Sequence, residues 1–195
     1  MSSRDLAKLN GTEVTGPRHI LCEGLSDAYF LRALIEDRGL PEYSFGWPTQ
    51  ETNKAAGVAG YFHYLNGFLP RSGTALVTRL LVVADNDDDH GAQFSLVQSQ
   101  MVKAGLPDPV APGEVKVSGA RHVSVFMFPA TGQPGCMESL VLQSWKPTES
   151  QRECVQAFEA CTGVNGWPTS KRAKALLRNT PGVAGASSTR PILPR

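Results

Sequence analysis

No stretch of this 195-residue sequence approaches the roughly 20 consecutive apolar residues that a membrane-spanning helix needs, so no membrane association is expected. Met1 to Asn10 carry charges and no apolar core, which speaks against a secretory signal. Cysteine is scarce. Cys22, Cys136, Cys154 and Cys161 include no pair at the two-residue spacing of a zinc knuckle or a dithiol redox motif. They read as buried thiols in a cytoplasmic protein. His63, His90 and His122 share no metal-ligand spacing, and there is no internal repeat. With 41% hydrophobic and 19% charged residues, the chain can build one domain with a core, alone or with a short appendage. Disorder of the whole chain is not expected.

Acid is absent from one part of the chain. Thr162 to Arg195 hold six Lys or Arg and no Asp or Glu. Of the 19 basic and 18 acidic residues in all, 13 and 18 therefore fall in residues 1–161, a balance of −5 beneath a total of +1. An acidic body with a basic tail suits a phosphate-containing ligand held through metal ions. A solvated basic helix has the same composition. The expected division is a body over residues 1–161, then a basic helix and mobile tail over 162–195.

Hydrophobic spacing predicts the elements. His19–Cys22 reads as a buried strand. Ser26 can cap a helix over Ala28–Arg38, with Phe30, Leu31, Leu34 and Ile35 as its stripe and Gly39 and Pro41 as its end. Tyr43–Trp47 is a short strand candidate. Val58–Leu69 reads as a helix with Tyr61, Tyr64, Leu65 and Phe68 inward. Leu80–Ala84, apolar on both faces, gives the strongest strand signal. Helices are predicted over His90–Lys103, Gly135–Trp145, Glu149–Cys161 and Lys171–Arg178, and a strand over His122–Phe128. Strands alternating with helices argue for an α/β fold with a mostly parallel central sheet sandwiched by helices, in Rossmann-like layers. Such sheets bind ligands beyond the carboxyl ends of their strands.

Three predicted strands run into acids there. The first ends at Glu23 and the central one at Asp85-Asn86-Asp87-Asp88-Asp89. The strand ending at Phe128 leads to Glu138 at the start of a helix. Parallel neighbours lie about 5 Å apart, so Glu23 and the Asp85 group would converge. An extended backbone would put Asp85 and Asp87 on one face. Carboxylates so close raise one another's pKa unless a cation joins them, and an all-oxygen set favours Mg²⁺ or Mn²⁺. A polar loop capping the helix near His90 explains Asp88 and Asp89 as well. An EF-hand fails: counted from Asp85, its Gly position is His90 and its Glu position is Leu96. A phosphatase of the haloacid dehalogenase type uses Asp-x-Asp after a strand, but on the first strand of its fold.

Ile20-Leu21-Cys22-Glu23-Gly24-Leu25-Ser26-Asp27 followed by Phe30-Leu31 resembles the first motif of the Toprim domain. Val82-Val83-Ala84-Asp85-Asn86-Asp87 resembles its second, about 60 residues on. Gly135-Cys136-Met137-Glu138 resembles a Gly-x-x-Glu segment of stand-alone Toprim-like proteins and of the overcoming-lysogenisation-defect nucleases. The resemblance spans residues 18–145. It implies a Toprim-like fold and Mg²⁺-dependent phosphoryl transfer on nucleic acid. Glu23 would be a metal ligand or general acid/base, Asp85 and Asp87 would hold Mg²⁺, and Asp27 and Glu138 would complete a second site. A metal pair stabilises the attacking and leaving oxygens of a phosphodiester displacement. The chain lacks the tyrosine and cleavage domains of a topoisomerase and the ATPase domain of the lysogenisation-type nucleases.

The leading expectation is therefore a Toprim-type nuclease, with catalytic Glu23, Asp85 and Asp87, that needs Mg²⁺ or Mn²⁺ and acts on DNA rather than RNA. The alternatives are a non-catalytic metal-binding subunit of a larger complex, such as one in phage defence, and a small-molecule phosphatase. Lys171, Arg172 and Lys174 are candidates for contact with nucleic-acid phosphates, or a solvated helix face. Lys54 lies in a polar loop. His90 could assist proton transfer or simply start its helix. Trp145 and Trp167 read as packing residues. Ser26 and Cys22 have no partner that suggests a nucleophile. A protein partner or a homo-oligomer is compatible with all of these.

Overall fold

A computed structural model describes Val14 and residues 16–50, 55–129 and 132–179 of the chain. The expectations for Met1–Asn10, Lys54 and the tail from Thr180 lie outside the described residues. The chain divides into two compact units. One holds residues up to Ala84 and Gly91–Met127; the other holds Asp85–His90 and the chain from Phe128 onward. The expected boundary at 161/162 falls within the second unit.

The first unit is built on a five-stranded sheet. Its strands are β1 (Arg18–Leu21), β2 (Ser44–Gly46), β3 (Arg79–Asp85), β4 (Val115–Ser118) and β5 (Arg121–Phe128), in the order β2-β1-β3-β5-β4. β1 runs parallel to β2 and to β3, with Leu21 opposite Val82, while β4 and β5 form an antiparallel hairpin. The fold is α/β with a mostly parallel sheet, as the alternation predicts. Helices α1 (Leu25–Asp37), α2 (Tyr61–Phe68) and α3 (His90–Lys103) accompany it.

Alternation along the strands sets the core. Leu21, Leu80, Val82, Ala84, Val123, Val125 and Met127 join Tyr61, Leu65 and Phe68 of α2 and Val97 and Met101 of α3 in one buried cluster. Their neighbours Ile20 and Val83 point to the other face, where they too are buried. Of the stripe predicted for α1, Leu31 is buried, together with Ala28, and Phe30, Leu34 and Ile35 are half-buried. α1 begins earlier than Ser26 predicts. Its N-cap is Gly24, which has no side chain to cap with, and the Asp27 carboxylate accepts the Gly24 N–H instead (2.9 Å). The helix expected from Val58 opens as a 3₁₀ turn, Val58–Gly60, before α2.

The same core contains a polar relay. Ser44 Oγ donates to the Arg18 carbonyl (3.1 Å), so His19 Nδ1 must donate to Ser44 Oγ (2.8 Å). His19 Nε2 is then left to accept the Tyr64 hydroxyl (3.0 Å), and Phe68 stacks on the imidazole at 4.3 Å. Burial pushes the His19 pKa down to about 3, so the ring is neutral at pH 7.

The second unit contains α4 (Met137–Ser144), α5 (Glu149–Thr162) and α6 (Thr169–Asn179). α4 packs on α6. Thr148 caps α5 by accepting the Gln151 N–H (3.3 Å), and Gln151 accepts the Thr148 N–H in return (2.8 Å). Gly163, at φ 67, ends the helix in the left-handed conformation that glycine adopts without strain. No helix among the described residues is long and apolar enough to cross a membrane.

Candidate metal centre

In the first unit, Glu23 and Asp27 flank the turn from β1 into α1. The Glu23 carboxylate lies over Gly57: a Cβ built there would sit 3.4 Å from Glu23 Oε2. Asp27 serves the helix start through Gly24 N–H. The Cys22 thiol, just past the end of β1, donates to the Gly46 carbonyl (3.5 Å) and feels the charge of both carboxylates. Burial pushes that thiol well above its ordinary pKa, and the two acids push it further. Cys22 is therefore a buried thiol held in its protonated form.

The second unit gathers Asp85, Cys136 and Glu138. One ligand atom from each lies within 4.8 Å of the others. The placement has a local cause. β3 ends at Asp85, and the left-handed turn at Asp87 (φ 47) lets the Asp87 carbonyl accept the N–H of Gly135 (2.5 Å). Gly135, at φ 130, would crowd Ser139 Oγ if it carried a Cβ. Cys136 then becomes the N-cap of α4, its N–H donating to Ser139 Oγ (3.1 Å). Asp85 Oδ1 accepts the N–H of Met137 (3.0 Å), the first residue of α4, where the helix dipole favours an anion. Glu138 projects from the same first turn. Its Oε2 is buried without a hydrogen-bond partner.

The third member of the charge balance is Lys174 of α6. Its ammonium donates to Asp85 Oδ2 at 3.1 Å. Two opposing effects act on Asp85, which is only 5% exposed. Burial pushes its pKa up; Lys174 and the Met137 N–H pull it down, and burial wins. At Lys174 desolvation works against the charge, but Asp85, with Glu138 and Cys136 beyond it, outweighs that and raises the pKa. The lysine is a fixed cation at neutral pH. Burial carries the Cys136 thiol up to about 12, so it is protonated at pH 7.

These positions sort the sequence expectations. Asp85 and Glu138 come together, whereas the expectation pairs Asp85 with Glu23 and Glu138 with Asp27. Asp87 does not extend β3 beside Asp85, because its backbone has turned left-handed. Asp88 is a cap, though not of the helix that follows it: its Oδ1 accepts the N–H of Thr169 at the start of α6 (3.0 Å). Arg172 is held by Glu159 through Nε (3.1 Å) and Nη2 (2.6 Å), and Lys171 is exposed. His90 is exposed at the start of α3. Trp167, expected to pack, is 48% exposed, and Cys154 and Cys161 are exposed rather than buried. A groove of about 300 Å³ in this unit, lined by Leu142, Trp145 and Leu176, also holds the paired Arg172.

Sequence reasoning missed Cys136 as a member of the cluster, and it named Lys174 for phosphate contact but not as the partner of Asp85. Cys136 is marked by its place two residues before Glu138 at a helix start. The pairing of Lys174 with Asp85, 89 residues away, carries no local signal.

The profile of the family described as "Protein of unknown function (DUF3226)" matches residues 17–179. The chain belongs to that family. The matched span of this DUF3226 chain includes Glu23, Asp27, Asp85, Asp87, Glu138 and Lys174. No curated protein and no solved structure matches the chain.

The donor set can be tested against an ion. Two carboxylates, one with an oxygen buried and unpartnered, suit a hard divalent cation. Sulfur is a soft donor that suits a hard ion such as Mg²⁺ poorly, so Cys136 contributes little to it. Asp85 and Glu138 fit, with Lys174 competing for one Asp85 oxygen.

Proposed function

We propose that this chain is a divalent-cation-dependent protein acting on phosphodiesters of nucleic acid, with Asp85 and Glu138 as the ligands of Mg²⁺ or Mn²⁺. The observation that supports it most is the Asp85–Glu138 pair with its unpartnered buried oxygen. The Toprim resemblance supplies the reaction class, and Glu23, Asp27 and Asp87 join the proposal through that resemblance alone. A bound ion would neutralise charge on a phosphoryl group. The chain's own residues orient and compensate: Met137 N–H fixes the Asp85 carboxylate, and Lys174 offers a cation that an incoming phosphate could attract from Asp85. A cytoplasmic location and a DNA substrate go with this reading.

Nicking of supercoiled plasmid and of single-stranded DNA, with Mg²⁺ and with Mn²⁺, tests it. Cleavage should require the ion and fall at least 100-fold in Asp85→Asn, Glu138→Gln and Glu23→Gln. Undiminished cleavage in the first two variants overturns it.

The Lys174–Asp85 ion pair favours a second reading. If the lysine is the resident cation, the chain is a non-catalytic subunit of a larger assembly. Calorimetry showing no Mn²⁺ binding at millimolar concentration would decide for that reading.

A further inference from the structure

The outer edge of the sheet presents an interaction surface that owes nothing to the acids. β4 is the edge strand, joined to β5 by a two-residue turn whose Gly119 has φ 59. In this hairpin Val117 faces His122 and Val115 faces Ser124. The His122 N–H donates to the Thr78 carbonyl (2.7 Å), away from β4. Val117 and His122 are therefore a non-hydrogen-bonded pair, and by the alternation of an antiparallel ladder so are Val115 and Ser124. The N–H and C=O groups of Val115 and Val117 consequently point outward, along the open edge.

Their side chains are open too. Val115 is 57% and Val117 63% exposed, and Phe126, on the same face of β5, is 45% exposed. Isolated edge strands are blunted by charge, shortness or cover. Here the one charge on the strand, Lys116, stands on the opposite face and is tied to Glu114 at 2.7 Å. Among the described residues nothing covers the valine row of this four-residue strand.

We propose that β4 pairs with β4 of a second copy of this chain, antiparallel about a two-fold axis with Val115 opposite Val115. Charge selects both occupant and register. In this register Glu114 of each copy faces Lys116 of the other, twice over, and the two valine rows lie side by side. Sliding so that Lys116 faces Lys116 keeps the backbone pairing but sets like charges opposite, which disfavours it. A two-fold interface is self-complementary in this way, and two five-stranded sheets become one of ten.

Sedimentation equilibrium of the full chain tests this, read alongside circular dichroism to confirm folding. The wild type should be a dimer at micromolar concentration. Val115→Pro removes an N–H that β5 does not use, so it should leave a folded monomer. Glu114→Lys and Lys116→Glu should each weaken association at least 10-fold, and the double exchange should restore it. A monomeric wild type, or a Val115→Pro protein that dimerises as tightly, overturns the pairing. Unaffected single charge variants, or a double exchange that fails to recover, overturn the register. The charge variants still decide should the proline protein fail to fold.

Discussion

Lys174→Met removes the cation from the acid pair while keeping much of the side-chain length. What is lost can be worked from the geometry. At 3.1 Å the bare attraction between Lys174 and Asp85 is about 5 kcal/mol at an effective dielectric of about 20. Desolvation offsets much of that. Breaking a fully buried pair costs about 3–5 kcal/mol and an exposed one about 0–1. Asp85 is buried here but the lysine side chain is 35% exposed, so about 2 kcal/mol is expected. For a chain of this size that lowers Tm by about 4–8 °C. The loss should shrink as pH falls, because the bereft Asp85 takes up a proton more readily. Asp85→Asn combined with Lys174→Met should recover most of it: the amide oxygen still accepts the Met137 N–H, and no charge is stranded. Mn²⁺ should raise the Tm of Lys174→Met more than that of the wild type, since the ion no longer competes with an ammonium. Thermal denaturation at pH 7 reads all three proteins. A Lys174→Met protein within about 0.5 kcal/mol of the wild type would refute the claim that the lysine compensates a buried charge.

Three further outcomes are expected. His19 titrates at about 3 when folded and 6.5 when unfolded, so its contribution is complete above pH 6.5 and declines as pH falls towards 3. By pH 5 the loss should be about 2 kcal/mol, and urea titrations of wild type and His19→Gln at pH 7 and 5 should show that slope in the wild type alone. Gly46→Ala places a methyl group on the Tyr64 hydroxyl in the His19 relay and should cost about 3 kcal/mol or more, seen as a lower denaturation midpoint. Thr148→Ala deletes the cap of α5 and should cost about 1 kcal/mol by the same measurement, with an unchanged m-value.

What the sequence revealed was what periodicity encodes. Leu80–Ala84 is apolar on both faces because β3 is buried on both, and the four inward residues of α2 were readable at their helical spacing. β4 was missed, since Val115-Lys116-Val117-Ser118 is a four-residue edge with an exposed apolar face and resembles a polar loop. The start of α1 was misplaced because the capping group is the carboxylate of Asp27, three residues inside the helix, and not a side chain at its N-cap. In each failure the deciding partner was not where local rules look.

The acids make the same point about chemistry. Their positions at strand and helix ends were legible, and so was the inference that crowded carboxylates require positive charge. The source of that charge was not. A divalent ion and an ammonium are alternative solutions to one electrostatic problem, and the structure places Lys174 against Asp85. Yet the lysine satisfies only half of it. It reaches one oxygen of Asp85, while Glu138 Oε2 stays buried and unpartnered. A buried carboxylate oxygen with no donor is costly, and proteins retain such groups where something else completes them. A single ammonium answering two carboxylates therefore argues for a site that exchanges its cation rather than one built around the lysine alone. Glu138→Gln is the telling variant. Its amide removes the unmatched charge, so it should leave stability unchanged or raise it in the ion-free protein, and it should abolish the stabilisation by Mn²⁺. A destabilised Glu138→Gln protein would mean that the glutamate serves the fold, and the exchange argument would fail.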